Sequence, residues 1–201
     1  MRPIFALLAA FFLACAAPVL AESGAQSGNA AEQFVSGNIR AGMSILNDSS
    51  LDAPTREARF EAFLLDNTDL DRIGLFTLGN AAATPAQREA FITAFRFYAL
   101  SSYRDYFRFY SGQTMRVTGS RQNAPGDFVV RTLLSDASGS VLPVDFRVRT
   151  DGPRPVVIDI GIAGVWLAVT QRDDFAAFLA RNHGDIAGLT SYLAAKASAP
   201  R

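Results

Sequence analysis

The chain has almost none of the side chains on which catalytic and redox chemistry usually depends. Its 201 residues include one Cys and one His. His183 lies in an Asn-His-Gly break between two predicted helices, where ending a helix explains it better than catalysis does. The sequence contains no Gly-x-Ser-x-Gly elbow, no His-Glu-x-x-His pair and no P-loop. We therefore expect a protein that is not an enzyme, with no catalytic residue, no metal and no cofactor.

Neither sign of charge is in excess. Lys and Arg together number 19, as do Asp and Glu, so the formal net charge is zero. Proteins that bind nucleic acid normally carry a basic excess on the binding face, because the phosphate backbone dominates their affinity. We therefore expect no nucleic-acid partner.

The apolar run at the N-terminus has the composition of a targeting segment. A short basic start precedes residues 4–17, which are too few to cross a bilayer, and the small residues around Ala21 are typical of a cleavage site. We interpret residues 1–21 as a cleaved signal peptide, with an uncleaved membrane anchor or a lipoprotein lipidated at Cys15 as the alternatives, and place the mature protein in the periplasm. Cleavage would remove Cys15, so an ordinary apolar core would have to stabilise the domain without a disulfide.

The spacing of apolar residues predicts one α+β domain over residues 32–197, after a flexible N-terminus at 22–31. Helical spacing or start signals predict helices at 33–46, from 52, at 70–78, from 84, at 173–181 and at 185–196. After Gly112 the apolar period changes to two, which predicts strands at 115–118, 128–134, 144–149 and 158–162, with 163–170 continuing the sheet. Turn-rich clusters separate these strands, as in an antiparallel sheet with one buried face.

Residues 91–113 hold nine aromatic side chains, with Arg threaded between them. On a helical wheel the rings occupy one broad arc and part of the opposite side, so the sheet and other helices are expected to cover most of this helix. Stacking on nucleic-acid bases is disfavoured by the charge balance. Core packing and the wall of a cavity for an apolar ligand both remain open, because both require the same residues.

Three stretches of the sequence, in this order and spacing, resemble one protein family. They are Leu75-Phe76-Thr77-Leu78-Gly79; Thr84-Pro85-Ala86-Gln87-Arg88, running into Phe91, Phe95 and Tyr103; and 158–167, followed by Arg172, Phe175 and 184–193. The chain is similar in them to the MlaC family, the periplasmic phospholipid-binding proteins of the Mla lipid-transport system, also known as the toluene-tolerance auxiliary family. The resemblance spans roughly residues 34–193.

The chain departs from the family pattern at two places. Trp166 stands where family members usually have Ser, and Pro153-Arg154-Pro155 stands where they usually have Trp-Lys. If Trp166 points into a lipid cavity, it shortens or reshapes that cavity.

The resemblance implies a fold and a function. The fold would be an antiparallel twisted sheet packed against several helices, similar to nuclear transport factor 2 (NTF2-like), with an apolar cavity between sheet and helices. The protein would shuttle phospholipid through the periplasm between an inner-membrane ABC transporter complex, with its ring-shaped lipid-binding subunit, and an outer-membrane lipoprotein–porin complex, and so maintain outer-membrane lipid asymmetry. Alternatives are a carrier for a hopanoid or another apolar lipid, or a small NTF2-like enzyme.

The resemblance and the apolar pattern together select candidate wall residues for such a cavity. On helices these are Leu46, Ile73, Phe76, Phe95, Tyr103 and Phe107. On strands and their continuation they are Val130, Val144, Phe146, Val148, Ile160, Val165 and Leu167. For each of them, plain core packing is the alternative. Arg172 is the candidate for a lipid head group, with an ion pair at a helix start as its alternative.

Overall fold

The computed structural model describes the backbone of residues 23–108 and 112–198, and the side chains of residues 30–102 and 112–198. Within these ranges the chain forms six helices and five strands. They are α1 (Ser23–Leu46), α2 (Ala53–Asn67), α3 (Leu70–Leu78), α4 (Pro85–Arg108), β1 (Thr114–Ala124), β2 (Asp127–Ser135), β3 (Val141–Arg149), β4 (Val156–Ile162), β5 (Val165–Trp166), α5 (Leu167–Arg181) and α6 (Ile186–Ser198). The predicted α+β class is confirmed.

Local capping explains why three of the helices begin where they do. The side chain of Asp52 accepts a hydrogen bond from the backbone N–H of Thr55 at 2.8 Å at the start of α2. Thr84 and Gln87 form a reciprocal pair of side-chain-to-backbone hydrogen bonds at the start of α4, the capping box that the sequence indicates. At α3, Asp69 caps the N–H of Arg72 at 3.0 Å. These starts agree with the predicted ones, whereas α1 extends N-terminal of the predicted 33–46.

The strands pair in chain order, β1-β2-β3-β4-β5, as one antiparallel sheet. A register shift in β4 sets Val157 opposite Val148 and Ile160 opposite Phe146. Because side chains alternate along a strand, Val157 and Ile160 would otherwise point to opposite faces, and the extra residue brings both to the same face. We call this side, which also carries Val130, the inner face.

The inner face and helix α1 form one of two apolar cores. Ala31 and Val35 of α1 pack against Phe128, Val130 and Val148 at one end of the sheet. The opposite, outer face carries the alternating charged residues of β3, as the sequence pattern requires. On this face Arg147 forms an ion pair with Asp127 at 2.6 Å.

Helices α3 to α6 form the second apolar core. Phe91 and Phe95 of α4 pack against Phe175 of α5, and the ring centroids of Phe91 and Phe175 lie 5.9 Å apart in an edge-on arrangement. The main neighbours of α4 are α6 and α3, so over its described side chains the helix does not pack directly on the sheet, contrary to the expectation that the sheet covers one side of it. The physical reason is that α1 already occupies the inner face.

The predicted continuation of the sheet through 163–170 is also wrong. Only Val165 and Trp166 pair with β4, and α5 begins at Leu167. The side chain of Trp166, at the N-cap, makes no capping hydrogen bond. The cap comes instead from Asp159, whose Oδ1 accepts from the N–H of Ala168 at 2.9 Å. A cap supplied from nine residues away leaves no local start signal in the sequence.

Candidate functional site

An apolar cavity of about 170 Å³ lies between helices α1 and α2 and the inner face of the sheet. Its lining is almost entirely hydrocarbon. From the helices come Val35, Asn38, Ile39, Gly42, Met43, Leu46, Phe60, Phe63, Leu64 and Asn67; from the rest of the chain come Thr68, Met115, Phe146, Val157 and Ile160. A space lined in this way favours hydrocarbon and provides few hydrogen-bond partners for a polar ligand.

Helix α2 covers the apolar cavity and has no fully buried side chain. Phe60, Phe63 and Leu64 face the cavity and are half-buried. Helix α2 approaches α1 closely at Gly42, where an added Cβ would lie 3.3 Å from the ring of Phe63. The apolar side chains of α2 therefore border empty space where a filled core would supply contact atoms.

A second cavity, of about 210 Å³, lies between α3, α4, α5 and strand β4. Its lining mixes apolar and polar side chains, so we call it the mixed cavity: Leu70, Ile73, Phe95, Tyr98, Ala99, Ser102, Val157, Asp159, Ile160, Leu167, Ala168, Thr170 and Gln171. The hydroxyl of Tyr98 accepts a hydrogen bond from Gln171 Nε2 at 2.9 Å, which links α4 to α5. Val157 and Ile160 line both cavities, so the two adjoin.

Asp159 is the buried ionisable group of the mixed cavity, with 6% of its surface exposed. Its Oδ1 accepts from the backbone N–H groups of Ile160 at 2.8 Å and Ala168 at 2.9 Å. Burial raises the pKa of this carboxyl, and these hydrogen bonds and the charge of Arg147 oppose the rise. In the described part of the chain, no cluster of His, Cys, Asp and Glu could hold a metal ion.

The structure brings six of the candidate wall residues to the two cavities. Leu46 and Phe146 line the apolar cavity. Ile73, Phe95 and Leu167 line the mixed cavity, and Ile160 lines both.

The other candidates with described side chains lie elsewhere. Val130 and Val148 are fully buried in the core under α1, and Val144 is 6% exposed on the same face. Phe76 and Val165 lie at the surface, with 37% and 55% of their area exposed.

The guanidinium of Arg172 lies 5.0 Å from the centroid of the Phe76 ring, outside the lining of both cavities. No described carboxylate forms an ion pair with Arg172, so the ion pair at a helix start that was its alternative role does not form. The side chains of Tyr103 and Phe107 lie outside the described residues.

Trp166 lines neither cavity. Its ring packs against Gly161 of the neighbouring strand, at a position where an added Cβ would lie 3.3 Å from the ring. The large side chain therefore leaves both cavities unobstructed.

Most of the lining that the candidate list omits comes from α1 and α2. The sequence did mark five of these residues as lying on a covered helix face, because they occupy apolar positions at helical spacing: Ile39, Met43, Phe60, Phe63 and Leu64. The spacing shows which face of a helix is covered, but not whether side chains or an empty space cover it. Asp159 lies in the stretch 158–167 that resembles the family, and nothing in the local sequence indicated that it would be among the residues lining a cavity.

The architecture defines a class of protein: an α+β domain whose helices and sheet enclose an apolar space. A family model, described as MlaC protein, matches residues 38–195. The chain therefore belongs to the MlaC family.

A solved structure shares the fold. It is the phospholipid-binding protein from Ralstonia solanacearum in complex with a phospholipid, with 22% sequence identity and a TM-score of 0.70 over 86% of this chain and 97% of that one. No curated protein sequence matches the chain. Among the described helices, none has the length and hydropathy required to cross a bilayer.

Proposed function

We propose that this protein is a periplasmic carrier that holds phospholipid acyl chains in the apolar cavity. The observation that carries the proposal is the cavity itself, a hydrocarbon-lined space of about 170 Å³ between α1, α2 and the sheet. Membership of the MlaC family and the shared fold of a protein solved with bound phospholipid support it.

The energetics of lipid transfer explain why such a space is needed. Burying a methylene contributes about 0.8 kcal/mol, so a sixteen-carbon tail exposed to water costs on the order of 12 kcal/mol. A carrier replaces the bilayer interior with its own apolar wall while the lipid crosses an aqueous gap. Leu46, Phe146 and Ile160, with the apolar side chains of α1 and α2, would form this wall.

The lipid must also leave the carrier. Release would take place when the carrier is docked to a membrane complex. We propose exchange with an inner-membrane ABC transporter complex and with an outer-membrane lipoprotein–porin complex, as the family membership suggests. Residues 1–21 would act as a cleaved signal peptide that delivers the chain to the periplasm. Because none of its side chains is buried, α2 is the element that would move when lipid passes.

Native mass spectrometry of protein purified from a cell envelope tests the proposal. We expect phospholipid at near-unit stoichiometry, identified after extraction. The variant Met43→Trp adds bulk to the wall of the apolar cavity and should lose most of the bound lipid, because its indole occupies the space of the chains.

The matched control for Met43→Trp is Val148→Ala in the filled core of the inner face. This variant should melt at a lower temperature and still carry lipid. Empty wild-type protein, or equal lipid content in Met43→Trp and wild type, would contradict the assignment of the acyl chains to this cavity.

A further inference from the structure

The outer face of the sheet carries three exposed arginines on its first two strands. Arg116 and Arg121 lie on β1, and Arg131 lies on β2. Arg131 is the diagonal neighbour of both β1 arginines, because their direct partners on β2 are Leu133 and Val129. Diagonal neighbours across an antiparallel pair lie about 7–8 Å apart. The three long side chains therefore rise from one small area of the surface.

A β-bulge in β1 places Arg116 and Arg121 on the same face. An odd number of positions separates them, so in a regular strand they would point to opposite faces. The register shift between Val117 and Gly119 adds one residue to β1 and returns Arg121 to the outer face. Gly119 has a φ of +146°, which residues with a side chain rarely adopt, so glycine at this position favours the bulge.

The three arginines have no ion-pair partner among the described residues. Asp145 of β3 stands opposite Arg131 but forms no ion pair with it. By contrast, Arg147 and Arg149 on the same face share the carboxylate of Asp127. Like charges placed together without counter-charges repel one another, so this area would attract an anionic surface.

The apolar side chains of this face favour a lipid surface over a protein partner. Protein interfaces depend on aromatic anchors in pockets, and the one described aromatic ring of this face, that of Trp166, packs on Gly161. Val141, with 54% of its area exposed, and Pro143 are the exposed apolar residues at the end of the β2–β3 pair. Spaced cations beside small apolar side chains suit an anionic bilayer, whose phosphates are spread over a plane.

We propose that the outer face of the sheet docks on the surface of an anionic phospholipid bilayer through Arg116, Arg121 and Arg131. The apolar cavity lies on the inner side of the sheet, so this contact leaves the cavity uncovered. The contact would hold the protein beside a membrane while the inner side stays free for lipid or for a docked complex. It goes beyond the proposed function, because it does not depend on what the cavity contains.

Co-sedimentation with vesicles tests this contact. The protein is mixed with vesicles of phosphatidylcholine alone, or of phosphatidylcholine and phosphatidylglycerol in equal parts, and the bound fraction is measured at low and at high salt. Each arginine near an anionic surface strengthens binding about fivefold, so the wild type should bind the anionic vesicles about a hundredfold more strongly than the neutral ones. High salt should remove most of this difference.

The triple variant Arg116→Gln, Arg121→Gln and Arg131→Gln should lose the preference for anionic vesicles. Replacing the same three residues with Lys should preserve most of it, because attraction to a charged plane depends on the cation and not on the shape of the guanidinium. Both triple variants should carry the wild-type amount of lipid in native mass spectrometry, since none of the three side chains lines a cavity.

The matched control replaces three exposed arginines of α3, α4 and α5 with Gln: Arg72, Arg88 and Arg181. None of them forms an ion pair within the described part of the chain. This control has the same net charge as the triple Gln variant of the outer face. It should bind the anionic vesicles nearly as strongly as the wild type does.

The outcomes separate this docking surface from the proposed function. Equal binding of the wild type to neutral and anionic vesicles would overturn the proposal and assign the three arginines to an acidic protein surface instead. A loss in the control as large as that in the triple Gln variant would overturn it too, because net charge alone would then explain binding. Wild-type protein that carries no lipid yet prefers anionic vesicles would contradict the carrier function and support the docking surface. If the triple Gln variant does not fold, the three single Gln variants decide, and unchanged binding in all of them would contradict the proposal.

Discussion

At the scale of single residues, the pair Gly161 and Trp166 shows how a large side chain is accommodated beside the site without entering it. The Trp166 ring packs where the side chain of residue 161 would lie, and Gly161 is buried beneath it. The departure of Trp166 from the family pattern therefore concerns the packing of β4 against β5 and leaves the cavities unchanged.

A double-mutant cycle tests this packing. Gly161→Ala should cost about 1 kcal/mol or more in the free energy of unfolding, since its Cβ would lie 3.3 Å from the ring, and much less in a Trp166→Ser background. Urea unfolding of the four proteins measures the coupling. The bound lipid of Trp166→Ser should match that of the wild type. An equal cost of Gly161→Ala in both backgrounds would show that the ring does not press on this position.

The raised pKa of Asp159 predicts a pH dependence of stability with a definite sign. Burial raises its pKa above the ordinary 3.8, to which the carboxyl returns on unfolding. The folded protein therefore binds the proton more tightly, and the stability that the protonated carboxyl contributes is fully present below pH 3.8 and is lost as the pH rises through the raised pKa. The unfolding free energy of wild type minus that of Asp159→Asn should fall as the pH rises from about 3.5 to about 7.

Asp136 provides the control of opposite sign. The hydroxyl of Ser138 and neighbouring N–H groups lower the pKa of this exposed carboxyl. Its contribution to stability is present above the ordinary pKa of 3.8 and is lost as the pH falls through the lowered one, so the wild-type minus Asp136→Asn difference should rise with pH. Urea unfolding at several pH values measures both differences, and parallel curves for the two variants would contradict the assignment for Asp159.

At the scale of elements, helix α2 differs from the helices of the α3–α6 core. It begins at a well-formed Asp52 cap, yet none of its side chains is fully buried. Its local sequence therefore specifies a helix, while its tertiary packing remains incomplete beside the apolar cavity. A bound acyl chain would supply the missing contacts.

Two Phe→Ala variants distinguish these kinds of helix. Phe91→Ala in α4 removes a side chain with no exposed surface and should cost about 3–5 kcal/mol whether or not lipid is bound. Phe63→Ala in α2 should cost less than Phe91→Ala in delipidated protein, since its half-buried ring contacts Gly42 of α1 and Phe60 beside the cavity, and distinctly more when lipid is present, because the lipid then adds contacts to the ring. Urea unfolding of each variant, with and without phospholipid, checks this, and a lipid-independent cost for Phe63→Ala would argue that α2 packs on protein alone.

The same elements show how far the sequence could predict the fold. Caps and apolar spacing located α2, α3 and α4, because Asp52, Asp69 and Thr84 bond to backbone N–H groups within three residues. The start of α5 escaped prediction because its capping group, Asp159, is distant in sequence. The position of α4 against α6 also escaped, since apolar spacing shows that a face is covered without identifying its neighbour.

The prediction of the cavity-wall residues was limited in the same way. Val130 and Ile160 both lie on the inner face of the sheet, yet Val130 is packed under α1 and Ile160 borders both cavities. Alternation assigns a residue to a face and cannot say where along that face the filled core ends. The β4 register shift that brings Val157 beside Ile160 is likewise a property of strand pairing, which no single strand sequence reveals.

At the scale of the whole molecule, two filled cores flank an unfilled region. One core joins α1 to one end of the sheet, and the other joins α3 to α6. The apolar and mixed cavities adjoin at strand β4, which contacts both α3 and α5. The cores can therefore hold the fold while the space between them is empty, as a carrier that gives up its lipid requires.

This division predicts that delipidated protein folds and that lipid raises its melting temperature. A ligand that binds only the folded state stabilises it by about 2.7 kcal/mol at a hundredfold excess over Kd, which corresponds to roughly 5–10 °C for a domain of this size. Calorimetry of delipidated protein with and without phospholipid measures the shift. Met43→Trp should melt at the same temperature in both conditions, because its indole occupies the apolar cavity in place of the lipid. If the delipidated protein is unfolded, the lipid is part of the core. If lipid does not change the melting temperature of the wild type, the space between the cores is not where lipid binds.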